Sequence, residues 1–317
     1  MERLTSISEK LGKLPRVVKL GVGLATLAGL TKAHYELTPK PEVSVINLQG
    51  VIVSGKASPL SGGQPPLNLE NLKKRIDMAF RPKRLKCVLL NINSPGGSPV
   101  QCDLIASYIR QKAEEKGVPV VAFVEDVAAS GGYWLACAAG QIFVARSSVV
   151  GSIGVIGSGF GFTEGMEKVG VERRVFTAGK SKSQLDPFRP LREEDVARQQ
   201  VILDSLHQHF IDHVKSSRGD RLAEGEELFT GEYWTGEKAV ELGLVDGLSL
   251  LEPWVAQNFG KEGKDVRVFR MKSGGLLESL LSTLAPSLLP SLAGLATIPM
   301  VEARDAGVEA LVESALR

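Results

Sequence analysis

Ser130 is the residue of this 317-residue chain whose neighbours best equip it as a nucleophile. It stands in Asp126-Val127-Ala128-Ala129-Ser130-Gly131-Gly132-Tyr133. The apolar Val120 to Val124 segment ahead of it reads as a buried strand, and the Ala-rich Tyr133 to Ala139 segment behind it as a helix. A serine at such a turn points its hydroxyl off the packed sheet. It also lies at a helix N-terminus, where free N–H groups and the dipole favour negative charge. Two following glycines permit close approach of another backbone. The same run also reads as an N-cap serine followed by packing glycines. On this stretch alone the two readings balance.

The chemistry of a nucleophile needs two companions, an oxyanion site and a base. Ser94-Pro95-Gly96-Gly97-Ser98 closes one apolar run and opens a helix, and its glycines can turn N–H groups towards a ligand oxygen. Alone it is more simply a Pro-Gly turn. Histidine is the usual base, but the chain has only His34, His207, His209 and His213. The last three lie on one polar helix, where solvated positions are expected. His209 and His213 are four apart but lack the glutamate of a HExxH zinc site. Lysine is the alternative, and a lysine base must be neutral, which requires a desolvated site. Bringing its pKa from about 10.4 towards 7–8 costs about 3–4 kcal/mol. Lys180 and Lys182, in Gly179-Lys180-Ser181-Lys182-Ser183-Gln184-Leu185-Asp186-Pro187-Phe188, are both available and read equally well as surface residues.

The elements that must position these groups alternate between strand and helix. Val43 to Leu48, Val51 to Val53, Cys87 to Ile92, Val120 into the serine turn, Gln141 to Ala145 and Arg173 to Thr177 read as strands. Leu67 to Ala79, Pro99 to Glu115, Glu193 to Ser216 and Gly236 to Leu242 have helical spacing. The alternation predicts an α/β fold around a largely parallel sheet.

A net charge of +2, with both signs scattered, argues against a nucleic-acid surface. Cys87, Cys102 and Cys137 cannot all pair and are expected as buried free thiols. No ligand cluster suggests a metal, and no cofactor is expected. Residues 1–40 read as a targeting or membrane-anchoring segment. The apolar run between Lys19 and Lys32 is shorter than the roughly 20 residues that span a bilayer and suits an interfacial anchor or an organellar targeting helix. Residues 272–317 form an apolar tail, uncharged between Glu278 and Glu302 and broken by Pro286, Pro290 and Pro299. The expected organisation is thus 1–40, a catalytic domain at 41–271, and this tail.

Five motifs in order carry a family resemblance: Asn93-Ser94-Pro95-Gly96-Gly97, Ala128 to Tyr133, Gly151-Ser152-Ile153-Gly154-Val155, the Gly179 to Phe188 loop, and Leu228-Phe229-Thr230-Gly231 with Gly243-Leu244-Val245-Asp246-Gly247. Over roughly residues 43–255 the chain resembles the S49 peptidases, the signal peptide peptidase A and SohB-like group. The resemblance implies a ClpP/crotonase-like α/β fold with stacked β-sheets flanked by helices, and a serine endopeptidase. It implies Ser130 and Lys182 as catalytic dyad, the lysine being 182 − 130 = 52 residues after the serine, which selects it over Lys180. It implies Gly97, with Gly96, as oxyanion hole and Ser152 as the group orienting Lys182. Gly151, Ile153, Gly154 and Val155 would line a groove to which an extended peptide adds as a strand. It further implies peptide substrates such as signal-peptide remnants, a ring-like homo-oligomer with a dyad shared between subunits, and membrane association, with a mitochondrial or other organellar site as the alternative. Two rival readings remain at this point: a crotonase-like acyl-CoA enzyme, and an inactive scaffold of the same fold.

Overall fold

A computed structural model describes residues 40–55, 66–260 and 266–271. The expected anchor segment and apolar tail therefore lie outside the described residues, except for Lys40.

The first strand, β1 (Glu42–Gln49), pairs in parallel with β2 (Leu85–Ser94) on one side and β8 (Arg267–Met271) on the other. Between β1 and β2 runs α1 (Leu69–Ala79), capped by Asn68, whose side chain accepts the Asn71 N–H at 2.9 Å. Helix α2 (Pro99–Lys116) follows β2, with proline where a missing N–H costs nothing, and ends at Gly117 in the left-handed region. It leads to β3 (Val120–Ala129), parallel to β2. Then come α3 (Gly131–Ala136), β4 (Gln141–Val144), β5 (Val149–Gly151), α4 (Thr163–Lys168) and α5 (Glu193–Arg218). The order closes with β6 (Tyr233–Thr235), α6 (Gly236–Glu241), β7 (Gly247–Leu248), α7 (Leu251–Phe259) and β8.

The strands among the described residues belong to one sheet of order β6-β5-β3-β2-β1-β8, with β4 branching from β3 and β7 pairing with β4. Among the described strands only β5 and β6 pair antiparallel. The branch arises because β3 shares one edge between two partners: Val121 to Val124 pair with β4, and Val127 to Ala129 with β5. On its other edge the register against β2 slips between Ile92 and Ser94, which face Val124 and Ala128. The strand that ends at Ser130 therefore passes from one branch of the sheet to the other.

Both faces of the sheet around β1, β2 and β3 are covered, so these strands are apolar through most of their length rather than alternating. Val88, Leu90 and Ile92 pack towards α1, α2 and α3, while Cys87 and Leu89 join Val121 and Phe123 under Leu251, Trp254 and Val255 of α7. Each such side chain buried contributes about 1.5–3 kcal/mol.

Several sequence expectations need correction. Arg173 to Thr177 is not a strand. No neighbour among the described residues offers it a ladder, and its side chains lie mostly in solvent. Val51 to Val53 shortens to a bridge at Ile52, which pairs with Leu67 and Gly97. The helix after the serine begins at Gly131 rather than Tyr133.

Candidate active site

Ser130 occupies the N-cap position of α3, but its side chain makes no capping hydrogen bond. Its φ of 51° and ψ of −121° differ from the extended conformation of an ordinary N-cap. That geometry turns the chain at once from the end of β3 into a buried helix. Its N–H donates to the Gly151 carbonyl (2.8 Å), and its carbonyl accepts the N–H groups of Tyr133 and Trp134 (both 3.0 Å). The backbone is thus fastened on both sides while the hydroxyl stays unengaged among the described residues. Of the two readings the sequence left open, the capping one finds no hydrogen bond here.

Only three non-glycine residues among those described have positive φ: Ser130, Ser152 and Leu185. Each costs about 1–3 kcal/mol unless its surroundings impose it. All three fall in segments that the sequence singled out for chemistry. Ser152 lies beside Ser130 because Ala129 and Gly151 are register partners in β3 and β5. Its N–H is fixed by the Glu232 carbonyl ahead of β6 (2.6 Å).

The Gly96–Gly97 loop packs directly on the serine turn. A Cβ on Gly96, where φ is +100°, would stand 2.6 Å from the Gly131 nitrogen and 2.9 Å from the Ser130 Cβ. A Cβ on Gly97 would collide with the Ile52 carbonyl, which accepts the Ser98 N–H (2.7 Å). These glycines are required by contact as well as by conformation. The Gly96 N–H is already engaged, donating to the Ser94 hydroxyl at 3.2 Å. The N–H groups of Gly97 and Gly131 have no acceptor among the described residues, which leaves both available to a ligand oxygen. Gly131 joins Gly97 as a candidate, one that the sequence alone did not single out. Its signal, the position directly after a nucleophile, was present but carried no weight without the neighbouring loop.

The expected groove residues do not form one free edge. Gly151 is paired to Tyr233 of β6, Ile153 is buried with its carbonyl held by His207 Nε2 (3.1 Å), and the Gly154 N–H turns back to the Ser152 carbonyl (2.9 Å). Val155, only partly buried, begins the accessible stretch.

Lys182 is exposed, and no interaction joins it to Ser130 among the described residues. Its N–H donates to the Gly179 carbonyl (3.2 Å). Lys180 is exposed too and faces Glu194 at 3.6 Å. The structure thus brings Ser130, Ser152 and the two glycine N–H groups together, and leaves the lysine loop on a separate exposed arm, residues 156–192.

Two of the histidines expected in solvent are structural instead. His207 holds Ile153, and His213 is buried against the ring of Trp134 (4.9 Å between centroids). His213 Nε2 bonds the Trp134 carbonyl (2.9 Å), and Nδ1 faces the Arg110 guanidinium (3.2 Å). Arginine can only donate, so Nδ1 accepts and Nε2 carries the proton. Burial first, and then the Arg110 charge, push the His213 pKa down to about 4. Such a ring is no base for Ser130.

The Gly243 to Gly247 motif is a clasp. Burial alone would raise the Asp246 pKa, but hydrogen bonds from Arg218 and the Ile142 N–H, the Arg218 charge and Arg221 hold it below the ordinary carboxylate value. The fully buried Arg218 side chain also donates to the Gly243 carbonyl (2.9 Å), and the Tyr133 hydroxyl to the Leu244 carbonyl (2.6 Å). The helix behind the serine is thereby tied to the end of α5. Cys87, Cys102 and Cys137 are free and buried, and burial pushes their thiols up to about 12. Among the described residues no group of three or more His, Cys, Asp or Glu could hold a metal ion.

A strained serine, a fitted glycine loop and two free N–H groups at the end of a parallel strand are the marks of a covalent-catalysis site. Residues 112–265 match the model of peptidase family S49. The chain is 30% identical over 240 residues to a putative signal peptide peptidase SppA of Enterococcus faecium, covering 72% of this chain and 69% of that one. It is 44% identical over 223 residues to a Na(+)/H(+) antiporter NhaA of Brucella abortus, covering 70% of this chain. It spans only 30% of the length of that relative. A solved structure of the 1510-N membrane-bound stomatin-specific protease, a K138A mutant with a substrate peptide, aligns with a TM-score of 0.44 at 15% identity, covering 78% of this chain and 98% of that one. The chain belongs to peptidase family S49.

Proposed function

We propose that the chain is a serine endopeptidase in which Ser130 is the nucleophile and Lys182 the general base. The observation that carries this reading is the Ser130 turn, with its positive φ, free hydroxyl and adjoining Gly97 and Gly131 N–H groups. The neutral Lys182 amine takes the hydroxyl proton as Oγ attacks a peptide carbonyl, and the two N–H groups hold the resulting oxyanion. The lysine returns the proton to the leaving amine. Water, deprotonated by the same amine, then releases the acyl group. Ser152, beside Ser130, orients the lysine, and Gly96 shapes the loop around the oxyanion site.

A lysine base acts as the neutral amine, so the proposed role of Lys182 calls for a surface that desolvates it. The arm that bears it exposes Ile156, Phe160 and Phe176 at 87%, 81% and 94%. We assign a second copy of the chain to that apolar surface, so that the dyad is completed between subunits of a homo-oligomer. Substrates are extended apolar peptides, such as signal-peptide remnants, that enter beside Val155. Family membership leaves no observation favouring an acyl-CoA enzyme.

Residues 41–271 would form the catalytic unit, with 1–40 as an anchoring or targeting segment and 272–317 as a tail. No helix among the described residues is long and apolar enough to cross a membrane. The proposed membrane association, or the organellar alternative, therefore rests on the run between Lys19 and Lys32.

Turnover of a fluorogenic apolar peptide tests the reading. Ser130→Ala and Lys182→Ala are each expected to lower kcat by about a thousandfold or more. Lys180→Ala is expected to stay near wild type. Full activity in Ser130→Ala would overturn the nucleophile, and full activity in Lys182→Ala the base. A wild-type chain that is inactive while oligomeric would support an inert scaffold instead.

A further inference from the structure

The lysine loop lies on an arm with almost no core of its own: every residue from Gly157 to Glu194 is exposed or only partly buried. Nevertheless two carboxylate side chains at this loop are almost fully withdrawn from solvent. The Asp186 side chain is 4% exposed and the Asp195 side chain 3%. Burying carboxylates is a poor way to stabilise a surface segment, because dehydration offsets much of the attraction to a partner. Each of these two, however, gathers donors that fix the chain around Lys182.

Asp186 acts from within the loop. Its Oδ1 accepts the Phe188 N–H (3.1 Å), and its Oδ2 accepts the Ser183 hydroxyl (3.1 Å) and the Arg173 Nε–H (3.1 Å). The same Arg173 guanidinium lies over the Phe188 ring at 5.0 Å, and that ring stacks on Phe162 at 5.4 Å. The Pro187 carbonyl accepts the Phe162 N–H (2.6 Å), which closes the loop against the start of α4.

Asp195 acts from outside, in the first turn of α5. It accepts donors from Arg192 (2.8 and 2.9 Å) and Arg198 (3.1 Å). Against the burial that would raise its pKa, these donors and the nearby Leu185 N–H help to hold it below the ordinary carboxylate value. Leu185 has a φ of +49°, which a leucine adopts only when held there. Ser183, Leu185 and Phe188, all within six residues of Lys182, are therefore pinned by two carboxylates on opposite sides.

We propose that Asp186 and Asp195 are positioning residues that form a two-carboxylate latch, presenting the Lys182 amine in a fixed geometry to the serine site. The proposal rests on Lys182 being the base. A base displaced by about 1 Å can lose about a hundredfold in rate, so an exposed loop carrying one needs internal fastening.

The test uses the full chain in its oligomeric form, with steady-state kinetics on an apolar peptide and amide exchange followed residue by residue. Asp186→Asn and Asp195→Asn are each expected to lower kcat by about tenfold or more while KM stays within about twofold. Exchange at Phe188 or Leu185, respectively, should speed up while the β1–β3 core keeps its protection. Arg173→Gln, which leaves Asp186 in place, should give a smaller kcat loss of the same kind. Wild-type kcat in both Asp variants would overturn the latch. So would a loss of activity accompanied by loss of protection throughout the core, since that is a purely structural role. Lys182→Ala keeps the two failures apart. If it is active, the base assignment fails. If it is inactive while the Asp variants keep wild-type kcat, only the latch fails.

Discussion

Ser130 adopts its conformation because three separate contacts leave no other. The Gly151 carbonyl takes its N–H, two α3 N–H groups take its carbonyl, and the Gly96–Gly97 loop fills the space beside its Cβ. Gly97→Ala tests that fit. The new Cβ would meet the Ile52 backbone at a φ of +147°, so the loop must shift and carry the Gly97 N–H with it. Loss of one oxyanion donor lowers kcat by about 10²–10³, and KM should change far less. Steady-state kinetics on one peptide check this, and an unchanged kcat would remove Gly97 from the oxyanion site. The serine was legible in sequence because its run is local, a strand and a helix joined by one turn. Gly131 was not, because its role depends on a loop more than thirty residues earlier that approaches only once β2 and β3 pair. Lys182 was separable from Lys180 only through family resemblance. Nothing in the ten-residue loop itself distinguishes them, and the single chain leaves both exposed.

At the level of elements, the divided edge of β3 brings the site together. Between its pairing with β4 and with β5, the Glu125 carbonyl has no strand partner and is capped by the Ser148 hydroxyl. Asn91 donates to Glu125 (2.7 Å) and Asn93 to Asp126 (2.7 Å), holding the slipped register between β2 and β3. The loop after β2 and the turn after β3 thus arrive side by side. The long strands and helices could be read from their apolar runs and caps. Strands of two or three residues, β5, β6 and β7, carry no periodicity and exist only because a neighbour pairs with them. Arg173 to Thr177 fails for the converse reason, since it has strand-like residues but no partner.

His213 links these elements and predicts a pH dependence. The unfolded chain binds a proton there below about pH 6.5, whereas the folded chain, with the ring buried beside Trp134 and Arg110, does so only below about 4. The unfolded state therefore holds more protons within this window, and stability falls as the pH drops through it. The loss is about 3 kcal/mol at this site. His213→Gln retains a donor for the Trp134 carbonyl and should remove that slope. Urea unfolding at about pH 7 and about pH 4 measures it. Equal pH slopes for the two proteins would contradict the assignment. Asp186 is shifted in the same direction, in a more acidic range. The Phe188 N–H foremost, then Ser183 and Arg173, hold its pKa below the ordinary carboxylate value. Its fastening is accordingly present above that ordinary value and is lost only as the pH falls below it.

On the scale of the whole molecule, the body and the arm are differently made. Residues of β1 to β4 bury an apolar core on both faces, while the arm keeps Ile156, Phe160, Phe176 and Leu191 in solvent. In the proposed reading the body would supply the nucleophile and oxyanion donors, and the arm the base on a latched loop. Neither is a complete catalyst, so the site we propose is finished where the arm of one copy meets the body of the next. Labelling of Ser130 by a fluorophosphonate, mapped by mass spectrometry, tests this most directly. The Lys182→Ala chain alone, which keeps the serine, should label little. Adding the unlabellable Ser130→Ala chain, which supplies the lysine, should restore modification of Ser130 to about a quarter of the wild-type level in an equal mixture of freely exchanging subunits. Modification at another residue, or wild-type labelling of Lys182→Ala without its partner, would contradict a Ser130 nucleophile activated by Lys182. No gain on mixing freely exchanging subunits would contradict a dyad shared between two copies.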